Sequence, residues 1–149
     1  MILLAAAALT AINPLAFFTG TTHGTGTMKI LFKGSQALHV TSHGLPDGHG
    51  GISLDQDVTE ANESPKRRHW ELRPTSPTTL VGTLSPDASG PVAGAISGRT
   101  MTLAYSMKGG LTAAQTLTLQ PGGVVLMNHM TVKKLGLTVA TIDERITKE

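Results

Sequence analysis

Punctuation constrains this chain more than any other feature. From Met28 onward, short segments of alternating hydrophobicity are separated by clusters of glycine, proline, asparagine and aspartate, at the spacing of about 8 to 12 residues expected of sandwiches and barrels. Gly44–Gly51, Ala61–Pro65, Pro74–Pro77, Ser85–Pro91, Ser97-Gly98, Lys108–Gly110 and Gln120–Gly123 are the separators. Their glycines and prolines supply turn dihedrals that strand interiors avoid. Between them the pattern predicts strands at 28–33, 36–42, 51–58, 67–73, 78–84, 92–97, 100–107, 114–120, 124–132 and 136–142. Parallel neighbours need connections of about a dozen residues, and none is present. The expectation is therefore all-β: an antiparallel up-and-down barrel of about eight to ten short strands, with a sandwich as the competing architecture.

Composition narrows the function. Aromatic residues make up 3% and charged residues 15% of the 149, below the charged fraction of about 25% usual in globular domains. A net charge of +2 with scattered Lys and Arg offers no basic stripe for a phosphate backbone and few rings for stacking bases, so nucleic acid is excluded as a partner. With no cysteine, thiol catalysis, disulfides and a lipoprotein anchor are excluded too. Ile2–Ala11 is an apolar, Ala-rich run ended by Asn13-Pro14, long enough for a secretory leader and too short to span a bilayer. No basic residue follows Met1, and a buried N-terminal helix is the alternative for the same run. The reading is residues 1–11 as signal peptide, residues 12–149 as one barrel domain, a periplasmic or secreted location and no stable transmembrane anchor. Oligomeric state is left open.

Alternation also divides each strand into two faces. Met28, Ile30 and Phe32, then Leu38 and Val40, Ile52, Leu54 and Val58, Leu80 and Leu84, Met101 and Leu103, Leu117 and Leu119, Leu126, Met130 and Val132 form the inward set. On the same parity fall Gln56, Arg68, Trp70, Tyr105, Gln115 and Asn128, the candidate ligand-binding residues. A buried guanidinium costs several kcal/mol unless it is paired, and the parity assignment supplies no inward carboxylate for Arg68. Two readings stay open. Arg68 stacks on Trp70 and plugs the barrel, or it meets the head group of an anionic ligand.

Other chemistry finds little support. His39 and His43 share a face about 13 Å apart, too far for one ion, and His43, His49 and Asp47 sit around a glycine-rich turn, so no metal or other cofactor is expected. Gly20–Thr27 is glycine-rich, but a phosphate cradle needs a helix after it and Met28–Lys33 reads as a strand. No serine occupies a nucleophile elbow. Lys66-Arg67-Arg68 reads as a charged edge that discourages strand pairing.

The chain resembles a family of bacterial lipocalin-like (calycin-type) proteins known only as a domain of unknown function. The resemblance rests on Pro14–Gly20 leading to Gly24-Thr25-Gly26, on Arg68-His69-Trp70, on Gly82-Thr83-Leu84 with Gly90-Pro91-Val92, on Tyr105–Gly110, and on Leu117–Pro121, Asn128 and Lys134–Glu144. It implies a lipocalin-like barrel and export, and implies no ligand or reaction. Pro121-Gly122-Gly123 lacks the aspartate common in that family's turn, and Leu135 replaces its usual phenylalanine. The leading expectation is an exported barrel binding a small apolar or amphipathic anionic ligand. Two rivals are a filled barrel serving as an envelope scaffold, and an isomerase- or cyclase-type enzyme with Tyr105 as acid and Arg68 as electrostatic stabiliser.

Overall fold

A computed structural model describes residues 13–61 and 63–149, so the predicted leader at 1–11 lies outside the described residues. A single turn of 3-10 helix (Ala16–Phe18) is followed by ten strands: β1 (Gly20–Ile30), β2 (Gly34–Pro46), β3 (Ile52–Glu60), β4 (Lys66–Pro74), β5 (Thr79–Ser85), β6 (Val92–Ser97), β7 (Thr100–Met107), β8 (Leu111–Leu119), β9 (Val125–Lys134) and β10 (Leu137–Lys148). Every strand is antiparallel to its neighbour in sequence, and β1 closes on β10 from Thr22 opposite Lys148 to Ile30 opposite Ala140. The architecture is the closed up-and-down barrel, lipocalin-like, and not a sandwich. Closure pairs the backbone groups that edge strands would leave open.

Side chains alternate across the wall as the pattern requires. Leu54, Trp70, Leu72, Leu84, Met101, Leu103, Leu117 and Leu126 are buried on the inner face, while His69 faces outward and bonds Asp55 across β3–β4 at 2.7 Å. The same pattern recurs outside β9–β10, where His129 Nδ1 lies 2.7 Å from Asp143. Such exposed pairs contribute little stability.

Three expectations are corrected. The first strand is Gly20–Ile30 and not 28–33: residues 31–33 form a turn, and Phe32, placed inward by parity, has φ of 65° and is 97% exposed. Glycine is depleted in strands, so the Gly-Thr run gives no local strand signal. The last strand continues six residues beyond 142, to Lys148. Lys66-Arg67-Arg68 does not prevent pairing with β3. It opens β4 opposite Val58, Asp57 and Gln56, with Arg67 reaching Asp57 at 3.2 Å, while the ladder to β5 begins only at His69.

One end of the barrel is plugged. The 3-10 turn lays Phe17 and Phe18 edge to face, ring centroids 5.3 Å apart, over Ile52 and Leu72. Lys148, at the end of β10, donates to the carbonyls of Phe17 (2.7 Å) and Thr19 (2.8 Å) and lies over the Phe17 ring. Gly44 makes this seat: a Cβ there would collide with the Phe18 carbonyl oxygen. Gly44→Ala is expected to lose about 1–3 kcal/mol through overpacking. Gly90→Ala, where a Cβ meets open space, changes little. Urea midpoints of the two variants check the contrast, and equal midpoints would remove the plug from the list of stabilising contacts.

Candidate functional site

The lumen above the plug is apolar below and polar near its middle. Leu15, Phe18, Ile52, Leu54, Leu72 and Ile146 line the lower part of a cavity of about 60 Å3. That volume holds several water-sized spheres yet falls well below the roughly 300–1,000 Å3 of common ligand pockets.

The inward row Thr22, Ser42, Gln56 and Arg68 runs across β1–β4 by register. Gln56 is held at both ends of its amide: its oxygen accepts from Trp70 Nε1 at 2.7 Å and its nitrogen donates to Ser42 Oγ at 3.0 Å. On the facing wall Gln115 donates to the Tyr105 hydroxyl at 2.7 Å. Asn128 donates to Glu144 Oε1 at 3.1 Å from the adjacent strand. Of the six candidates, Gln56, Arg68, Trp70, Gln115 and Asn128 line the cavity; Tyr105 is buried behind them, its ring edge-on to Trp70 at 5.7 Å.

The structure overturns the premise that Arg68 lacks a carboxylate. Its Nε lies 2.6 Å from Oδ2 of Asp87 in the β5–β6 turn, each side chain 26% exposed. The N–H is not aimed along that contact, so the pair is ionic without a hydrogen bond from Nε. Arg68 does not stack on Trp70, whose ring is taken by Tyr105. Asp87 was missed because it lies in a turn, where no parity rule applies.

A second carboxylate enters the lumen from β10. Glu144 is 6% exposed and lies against Gly24 of β1, where any Cβ would occupy the space of its carboxylate. Thus Gly24 leaves room inside the wall for the acid, while Gly26 sits where a Cβ would strike the Asp143 carbonyl of β10. That run, unsuited to a phosphate cradle for want of a following helix, is a strand whose missing side chain at Gly24 admits an acid. Ile142, Glu144 and Ile146 share the inward parity, a signal that an expected strand of 136–142 does not reach.

Electrostatics follow from burial. Desolvation raises the pKa of Glu144 above its ordinary 4.5, opposed by the Asn128 bond and the charge of Arg68. Burial likewise raises Tyr105 above 10.0, against the Gln115 bond and Arg68. Tyr105 is therefore held as a neutral phenol and poorly suited to give up a proton near neutral pH. Glu144 Oε2, Asn128 Oδ1, Thr22 Oγ1 and Arg68 Nε are buried without hydrogen-bond partners. Such groups ordinarily cost stability, and here three of the four residues, Glu144, Asn128 and Arg68, line one cavity. Asp47, by contrast, caps its own turn: its Oδ1 accepts from the backbone of His49 (2.7 Å) and Gly51 (2.9 Å).

The barrel is of the lipocalin-like class, and comparison with solved structures agrees. It is similar to the "Structure of S-type Phycobiliprotein Lyase CPES from Guillardia theta", with a TM-score of 0.68, 10% identity, and 89% of this chain and 90% of that chain covered. At that identity the likeness concerns the fold alone. A family model described as "Protein of unknown function (DUF3833)" matches residues 5–148, and the chain belongs to that family. No curated protein matches it in sequence.

Because Glu144 binds its proton more tightly folded than unfolded, the native state is favoured below the ordinary carboxylate range and loses stability as pH rises through the raised value. Glu144→Gln keeps the oxygen that Asn128 bonds and abolishes the titration. The variant is expected to gain on the parent by about 1 kcal/mol or more at pH 8 and by less at about pH 5. Urea unfolding at the two pH values measures the gap, and a gap independent of pH contradicts the assignment.

Proposed function

We propose that the protein is a small-molecule-binding barrel whose lumen takes one slender apolar chain ending in a polar head. The observation that carries this reading is the set of unpartnered buried polar atoms, Glu144 Oε2 and Asn128 Oδ1 foremost, in the middle of a largely apolar cavity. Both atoms accept hydrogen bonds when Glu144 is ionised, so a head bearing hydroxyl donors complements them. A cavity this small excludes bulky rigid ligands. Likeness to a lyase that serves phycobiliproteins supports a ligand-handling barrel in general terms.

An anionic head is the second reading, favoured by the presence of Arg68 in the lining. With Asp87 already beside Arg68 and Glu144 across the lumen, that head meets attraction and repulsion together. The rival filled scaffold draws on the small volume and the internal pairing of Gln56, Gln115 and Asn128. Export remains a proposal resting on the sequence of residues 2–11.

Trp70 is the chain's one tryptophan and lines the cavity, so its emission reports entry directly. Decanol is expected to shift that emission saturably and decanoate to do so more weakly at pH 8. Glu144→Gln is expected to tighten decanoate by about tenfold, the effect of removing roughly 1.4 kcal/mol of like-charge repulsion. Decanoate binding more tightly than decanol to the parent favours the anionic reading. Failure of both probes, together with empty protein in native mass spectrometry after purification from its own host, leaves the scaffold reading.

A further inference from the structure

The turns joining β1–β2, β3–β4, β5–β6, β7–β8 and β9–β10 lie at the end opposite the plug. Two of them break the rules of turn chemistry in the same way. Leu135-Gly136 is a two-residue hairpin loop between Lys134 and Leu137, with φ of 50° and 77°. Loops of that type favour Asn-Gly, because asparagine tolerates the left-handed region and leucine does not. Phe32, in the β1–β2 turn, is also left-handed at φ 65°. Two bulky apolar residues occupy positions where they strain the backbone, and both point outward: Phe32 is 97% and Leu135 98% exposed.

These tips are neighbours. β1 pairs with β10, and Leu31 N donates to Val139 O at 2.9 Å, so the two turns rise side by side with exposed Leu31 and Leu137 at their bases. Lys29, Lys33, Lys133 and Lys134 flank them, and Lys108 lies in the β7–β8 turn; all five are exposed. Segments 29–36, 105–117 and 129–141 carry no Asp or Glu. Beneath the tips the wall turns polar, with Thr25, Thr27, Asp143 and Arg145 exposed, which limits apolar contact to the rim.

We infer that this rim docks on an anionic lipid surface, with Phe32 and Leu135 inserted at the headgroup boundary and the lysines on the lipid charges. Exposed apolar tips ringed by lysine match the two-part chemistry of interfacial binding. A second copy of the chain fits less well, since self-association through the rim would set the same lysines against each other. Behind the tips, Leu38, Val40, Val58 and Ile142 form an apolar cluster, and three of them, Leu38, Val40 and Ile142, also line the cavity, so the docked edge leads inward through apolar residues. The surface stands independently of what the lumen binds.

The test uses the full chain and flotation with phosphatidylcholine vesicles, with and without phosphatidylglycerol. Phe32→Asn/Leu135→Asn suits both turns, so the variant folds at least as well as the parent. The parent is expected to float with phosphatidylglycerol-containing vesicles, and the double variant to bind them at least tenfold less, as expected for losing about 1.4 kcal/mol or more of apolar contact. Lys133→Gln/Lys134→Gln is expected to weaken binding by about fivefold per lysine and to reduce its salt dependence. The apolar run at 2–11 is present in every version, so the differences belong to the turns. Equal flotation of parent and Asn variant overturns the inference. So does dimerisation abolished by the Asn variant in a parent that ignores vesicles.

Discussion

Everything inside this molecule depends on β1 meeting β10. That seam joins strands separated by the length of the chain, and without it the meander has two open edges and no interior. It forms along a stretch of β1 where Gly24 and Gly26 carry no side chain and β10 lies close against both. What holds it is the ladder itself, reinforced where Lys148 reaches past the seam to the carbonyls of Phe17 and Thr19. The plug is thereby tied to the closure, and both come from residues near the ends of the described chain.

The same stretch of β1 creates the site. A lumen lined by leucine would ordinarily reject a carboxylate, and Glu144 is tolerated because the strand beside it carries no side chain at Gly24. Asn128 supplies one hydrogen bond, and Arg68 supplies charge from a distance while its own partner, Asp87, waits in a turn. The polar groups are arranged as linked pairs and are incompletely satisfied. Stability is given up at the height in the barrel where the cavity lies.

Much of this was legible in the residues. Ten strands, their antiparallel order and the inward parity of Gln56, Arg68, Trp70, Gln115 and Asn128 followed from turn spacing and alternation, because both operate over a few residues. What failed were the places where local rules compete. Gly20–Thr27 has the composition of a loop and became a strand through pairing with β2 and β10, an interaction no local window contains. Phe32 has the alternation of a strand and the dihedrals of a turn. Asp87 reaches Arg68 from the turn that follows β5, the neighbour of β4, and Glu144 lies beyond residue 142, where the alternation expected of the last strand stops.

An even number of strands has a practical corollary. β1 begins and β10 ends beside the plug, so both termini of the described barrel emerge from the sealed face. Whatever is joined there, a tether or a purification tag, leaves the lysine-bearing rim unobstructed and turned away from the attachment point.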